Sequence, residues 1–424
     1  MGDNCPNCPI EEKRREMNVL KGIYKKIFGA AWPVWLGGLL IGLFNVFEYI
    51  MKKPWGITTA TSRWTGRILY HWFGVNTPEW LYFTQKKMMA KTPFMYGSDS
   101  INIGLILGAF IAACLSYEFA IRGPRNKRMY LQAFIGGFII GYAVRLTNGC
   151  NLGSFICSIS CLSLSGWIYW AGLVIGAFLG VTYIKRQIYR MPATVERKPE
   201  QSGRGAGKFS GKMQIFLGII GLLAAVVITL FYARFTKASV VVLFLIGIAF
   251  GVILQRSRFC WATCYKNLFI SRNADLFKAI IISMLVATVG FSLIMYKMVP
   301  DPSTGVLPAY AKINEIGSPF GIPHLIGGIL FGFGIILTGG CASGILYRMG
   351  EGYISLWVAF FGMLVGHGFI AHNWEWLHPN LLKGTKVWLP QYLGWGWSIF
   401  LTISALMLVY LWISYWQAKT EIQK

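Results

Sequence analysis

Charge is scarce in this chain. Of its 424 residues only 13% are Asp, Glu, Lys or Arg, against 55% hydrophobic. Soluble domains carry about 25% charged residues, so that class is excluded. The short alternating segments of a membrane barrel are missing too. No basic stripe interleaves with aromatics as a base-stacking surface would require. The net charge of +24 therefore does not point to nucleic acid. The first 28 residues are polar, with Lys13, Arg14, Arg15, Lys21, Lys25 and Lys26, and show no cleavable signal.

What the chain does have is long apolar windows of 16 to 24 residues, the length that crosses a bilayer as a helix. They predict an all-α polytopic integral membrane protein of about ten spans, with re-entrant or broken helices. The spans fall at roughly 29–50, 101–121, 130–148, 166–184, 214–233, 239–254, 279–298, 323–340, 353–371 and 393–416. Apolar pieces near 57–73, 151–164 and 258–270 are too broken by Gly, Ser and Arg to cross alone. Irregular backbone at that depth must face protein or a cavity. The expected layout is a cytoplasmic tail (1–28), a first repeat (29–190), a basic Gly-rich cytoplasmic linker (191–213), a linking span with a second repeat (214–416), and a second cytoplasmic tail (417–424). With the N-terminus inside, inner segments hold 26 Lys or Arg and outer segments 12, a bias that favours both termini in the cytoplasm. Within the linker, Gly203-Arg204-Gly205-Ala206-Gly207-Lys208 lacks the first glycine of a phosphate loop, where Ser202 stands, and follows no strand, so no nucleotide-hydrolysing module is expected.

One interruption occurs twice. Thr147-Asn148-Gly149-Cys150-Asn151-Leu152-Gly153 breaks one apolar run; Thr338-Gly339-Gly340-Cys341-Ala342-Ser343-Gly344 breaks another. Ile135-Gly136-Gly137 precedes the first and Ile326-Gly327-Gly328 the second, 12 residues from glycine to glycine in both (Gly137 to Gly149, Gly328 to Gly340). Ser62-Arg63-Trp64 pairs with Ser257-Arg258-Phe259, which sets Thr65 against Cys260. The loop following the first of these, Arg122 to Arg128, is basic, whereas Pro300 to Pro323 holds only Lys312. Equivalent loops of opposite bias imply an inverted repeat, which places substrate between broken helices at the midplane.

Three of the four break positions are thus cysteines: Cys150, Cys260 and Cys341. An anion entering hydrocarbon loses hydration worth several kcal/mol or more. Half-helix N-termini replace it with N–H groups and a positive dipole end. Thiols add weak donors and polarizable sulfur, suited to a soft, sulfur-bearing anion. The other reading is plain packing, since cysteine sits well where helices approach closely at glycine.

The Asn-Gly-Cys-Asn and Gly-Gly-Cys breaks, with Ser-Arg-Phe-Cys between them, resemble the YeeE/YedE family of bacterial sulfur transporters, over about residues 30 to 415. Length and the Ser-Arg-Trp stretch are similar to the YedE branch, proposed to act in selenium metabolism. The resemblance implies an inner-membrane permease, not an enzyme, that takes up thiosulfate or a related sulfur or selenium species. It implies an hourglass-shaped path in which Cys150, Cys260 and Cys341 contact the anion in turn by hydrogen bonds, with no cofactor. Cys264, one turn from Cys260, is a competitor for that place. A small cytosolic sulfur-carrier protein at the inner face is implied as a partner.

Further candidates for the path lining are Cys157 and Cys161, spaced i, i+4; Asn148 and Thr65 at the breaks; and Arg145, an intramembrane charge that either attracts an anion or sits in a structural ion pair. His367 reads as an interhelix residue and Glu48 as a carboxylate reaching the membrane face. Cys5 and Cys8, as Cys-Pro-Asn-Cys in the tail, make a weak motif for thiol chemistry or half a metal site. Two other classes stay open. A membrane thiol oxidoreductase exchanging electrons with quinone wants an exposed cysteine pair in an outer loop, and the outer loops contain none. A generic anion channel would work equally well with serine at the breaks.

Overall fold

A computed structural model describes residues 22, 24, 26–51, 56–85, 88–89, 94–124, 126–147, 149–189, 207–299, 301–303, 321–380 and 385–422. Cys5, Cys8, Asn148, most of the 191–213 linker and Lys312 lie outside the described residues. The structure is helical throughout. The only paired strands among the described residues are two residues each, Ala120–Ile121 against Gly207–Lys208. The end of the expected linker is therefore tied down, and the next helix already begins at Gly211.

In chain order the main helices are α1 (Val34–Ile50), α2 (Ile57–Phe73), α3 (Gly97–Leu115), α4 (Lys127–Leu146), α5 (Leu164–Tyr189), α6 (Gly211–Phe235), α7 (Ala238–Ser257), α8 (Trp261–Ile270), α9 (Asp275–Met298), α10 (Ile322–Thr338), α11 (Ala342–Gly350), α12 (Ile354–His372) and α13 (Leu389–Ile422, kinked at Gly394). Between α4 and α5 lies a π-helix, Asn151–Cys157. Nine helical stretches among the described residues are long and apolar enough to span a membrane, and α1 is a shorter apolar helix of 17 residues. Together they account for the ten expected spans. Helices α2, α8 and α11 and the π-helix are the short pieces beside the breaks.

Helix packing shows the duplication directly. Taking α1 to α5 as one half and α7 to α12 as the other, α1 corresponds to α7, α2 to α8, α3 to α9, α4 to α10, the π-helix to α11, and α5 to α12. Helix α1 packs on α9 while α3 packs on α7; α5 packs on α10 while α4 packs on α12. Each contact recurs with the halves exchanged. Helix α2 meets α12 and α8 meets α5 in the same exchanged way. With α6 as the extra crossing, α1 is the first crossing and α7 the sixth, so the two halves run in opposite senses. Helices α6 and α13 stand outside this scheme, packing on α3 and on α9.

Glycine makes the crossings close. In the α5–α10 pair, Gly172 and Gly176 face the Leu325 and Ile329 carbonyls, and Gly328 and Gly332 face those of Tyr169 and Leu173. The α3–α7 and α4–α12 pairs repeat this four-residue spacing on both partners. In lipid there is little hydrophobic gain from helix association, so backbone approach at small residues supplies it. The Ser62/Ser257 correspondence does not survive. Ser62, Arg63 and Trp64 lie inside α2, whereas Ser257 ends α7 and Arg258 is left-handed at φ 52°. Thr65 is consequently mid-helix; the counterpart of Cys260 in helix order is the start of α2.

Gly176→Leu drives a side chain into the Ile329 carbonyl and should destabilise the protein by roughly 1–3 kcal/mol or more. Gly396→Leu, where nothing lies within 4 Å, should change little. Thermal unfolding of the detergent-solubilised variants checks both.

Candidate functional site: the helix breaks and their cysteines

The two sequence-matched breaks share one geometry. Helix α4 ends at Thr147, whose hydroxyl donates to the Gly149 carbonyl at 2.8 Å; α10 ends at Thr338, whose hydroxyl donates to the Gly340 carbonyl at 2.7 Å. Two residues on, the chain restarts. Ser154 N–H donates to the Cys150 carbonyl at 2.8 Å, and Ile345 N–H to the Cys341 carbonyl at 2.7 Å. A carbonyl orphaned inside hydrocarbon costs free energy, and in both halves the threonine at the helix end, two residues back, supplies its donor. Gly339 is left-handed at φ 73°, a conformation glycine adopts without strain.

Each of the three cysteines occupies an N-cap. Cys150 caps the π-helix, Cys260 caps α8 and Cys341 caps α11, all with extended backbone. Cys150 makes no side-chain hydrogen bond to the helix it caps. The Cys341 sulfur accepts from Gly344 N–H at 3.3 Å and lies 3.3 Å from the Ser343 hydroxyl. Gly344 N–H is a first-turn amide with no partner inside the helix, the kind of group that binds anions at helix starts.

Cys260 and Cys341 are brought together. Both sulfurs rest against the bare Cα of Gly344. A side chain at 344 would meet Cys260 Sγ at 3.1 Å and Cys341 Sγ at 3.3 Å, so glycine keeps that space open. Cys150 is not in that pair. Tyr169 lies nearby: its hydroxyl donates to Asn151 Oδ1 at 2.9 Å, and it is within electrostatic range of both Cys150 and Cys341. All three cysteines are buried, Cys150 at 4%, Cys341 at 1% and Cys260 at 0% exposed. They form part of the main apolar cluster, so the breaks are packed shut.

The remaining candidates divide. Cys264 sits one turn into α8, its N–H on the Cys260 carbonyl at 2.9 Å. Cys157 Sγ points to Asn45 Oδ1 at 3.9 Å. The Cys161 carbonyl takes the Trp388 indole N–H at 3.0 Å, a tie to the start of α13. Thr65 donates to the Thr61 and Leu364 carbonyls at 3.1 Å each, fastening α2 to α12. His367 Nε2 pairs with the Thr61 hydroxyl at 2.9 Å, the interhelix role expected of it. Arg145 has no ion pair among the described residues; its Nη1 donates to the Tyr82 hydroxyl at 2.7 Å. Glu48 is buried at 1% exposed, so it does not reach the membrane face as expected.

Sequence reasoning missed Tyr169 and Arg348. Arg348 reaches from α11 to the Gly339 carbonyl at 2.9 Å, to the Thr263 hydroxyl at 3.1 Å and to the Tyr347 hydroxyl at 3.0 Å. One cation thus ties the end of α10, α11 and the first turn of α8, beside the Cys260–Cys341 pair. The signal available was its place seven residues after Cys341, which in a half-helix cannot be far from the break.

An inverted repeat of crossing helices, each half interrupted in the interior by a helix start, is the architecture of a membrane transporter. Family comparison agrees and is more specific. The chain belongs to the Sulphur transport family, matching it over residues 9–179 and 256–424. It is 32% identical over 354 residues to a probable transporter, YedE, of Salmonella typhimurium, covering 80% of this chain and 81% of that one. The Escherichia coli YedE is 31% identical over the same length and coverage. The thiosulfate transporter TsuA of Escherichia coli is 38% identical over 120 residues, covering 28% of this chain and 30% of that one. The protein is accordingly a transporter and not an enzyme.

Arg348→Gln removes charge-assisted bonds of about 1.5–3 kcal/mol each and should lower stability by at least that much. Lys at 348 should recover only part, because one ammonium cannot span both Gly339 and Thr263. Unfolding temperature in detergent is the readout.

Proposed function

We propose that this protein is an inner-membrane permease for uptake of thiosulfate or a related sulfur or selenium anion. The anion passes along Cys150, Cys260 and Cys341 as neutral thiols, by hydrogen bonds and without covalent chemistry. One observation carries this: the three cysteines stand at the starts of three half-helices, where free amides and sulfur are presented together. A path of this kind replaces water around the anion by fixed dipoles, and weak thiol donors release what they hold. The substrate of its partial relatives, as their name gives it, fits that chemistry.

The two matched breaks approach from opposite sides in an inverted repeat, and Cys260 and Cys341 lie together at Gly344 while Cys150 belongs to the other break. Transport then proceeds in two stages, from the first break to the second. The basic bias of the loops puts both termini in the cytoplasm, so the second break faces inward. There a small cytosolic sulfur-carrier protein would receive the product. Cys264, Cys157, Cys161, Asn148 and Thr65 are at most lining, and no cofactor is required.

A second reading draws on the contact between Cys260 and Cys341, which suits a thiol oxidoreductase. Membership of a transport family makes transport the better reading.

Alanine at position 150, 260 or 341 should cut thiosulfate uptake at least about tenfold while membrane insertion is retained, and serine should restore only part. Equal function of serine would mark a generic anion channel. A phosphine reductant that keeps thiols reduced should leave uptake unchanged; loss of activity would favour disulfide cycling. Normal uptake by all three alanine variants would remove the cysteine path. A reporter fused after residue 310 should read periplasmic.

A further inference from the structure

We propose that Arg145, pinned by Tyr82, is a binding site for the oxygen-bearing end of the transported anion; this rests on the permease reading above. Arg145 lies on the last turn of α4, 3% exposed. Its Nη1 donates to the Tyr82 hydroxyl at 2.7 Å. Its Nε and Nη2 are buried without a hydrogen-bond partner among the described residues. Those two nitrogens lie on one edge of the planar guanidinium, the fork that grips two oxygens of an oxyanion at once.

The same protein shows what a buried structural arginine looks like. Arg63, equally buried, has the Asp99 carboxylate at 2.9 Å, the Ser98 hydroxyl at 2.6 Å and the Tyr96 ring under its charge at 3.7 Å. Arg256, buried as well, has the Glu118 carboxylate at 3.7 Å. Arg145 alone of these has no carboxylate. An uncompensated charge at membrane depth is costly and calls for a counter-ion. Tyr82 is itself fixed, edge-on to Phe83 and Trp374 at 5.0 Å each, so the open edge is held in one orientation.

Arg145 is five residues before Cys150 and within its electrostatic range. An anion with both ends, oxygens at one and sulfur or selenium at the other, can place its oxygens on the fork while its soft atom meets the thiol. The fork therefore selects thiosulfate-like anions over hydrosulfide or chloride, which have no pair of oxygens to offer.

Labelled thiosulfate uptake by the full-length protein in proteoliposomes tests this with Arg145→Lys, Arg145→Gln and Tyr82→Phe. Lysine keeps the charge but not the fork. It should raise KM at least about tenfold with maximal rate within about twofold. Glutamine should raise KM further. A KM unchanged in Arg145→Lys, with only thermal stability shifted, overturns the inference. Should that variant fail to assemble, Tyr82→Phe decides: loosening the guanidinium should raise KM about threefold, and an unchanged KM overturns the site. The underlying path fails differently, by normal uptake in the cysteine variants. Wild-type protein that moves no thiosulfate removes both.

Discussion

A helix broken inside hydrocarbon exposes amides and carbonyls to a medium with no water to satisfy them. How those groups are held determines the rest of this structure. At both matched breaks a threonine at the end of the preceding helix donates forward to the glycine carbonyl, and the chain restarts at a cysteine. On one side Arg348 adds a charge-assisted tie to the Gly339 carbonyl. The carbonyl side of each break is spent on structure. On the amide side, the second break sets the sulfur of its capping cysteine against Gly344 N–H.

That arrangement is affordable only if the helices around it do not yield. Reciprocal glycines in the α3–α7, α4–α12 and α5–α10 crossings bring backbones into contact, and a Cβ at any of them would meet a carbonyl of its neighbour. Each crossing joins one half of the repeat to the other. The breaks thus sit on a frame whose two halves interlock, and opening of a path must come from side chains or from the short half-helices.

Much of this was legible in the residues. The twelve-residue spacing from Gly137 to Gly149 and from Gly328 to Gly340 announced the duplication, and the shared Thr-x-Gly-Cys order reappears as shared hydrogen bonds. Where the reading failed, the cause was local. Ser62-Arg63-Trp64 looks like Ser257-Arg258-Phe259 but folds differently, because Arg63 is drawn into a buried ion pair with Asp99 while Arg258 closes a helix end. Spacing along the chain does not reveal such a partner. Tyr169 and Arg348 were invisible for the same reason, their importance lying in what the fold brings to them. Glu48 could not be told from a face-reaching carboxylate, since the neighbours that bury it come from elsewhere in the fold.

The central claim is that neutral sulfhydryls at helix starts carry the anion. Crystals soaked with selenosulfate, whose selenium is visible by anomalous scattering, test it most directly. The account predicts selenium peaks at hydrogen-bonding distance from Cys150 and from the Cys260–Cys341 pair, with no bond to sulfur. Selenium seated elsewhere in the bundle, or covalently joined to a cysteine, would contradict it.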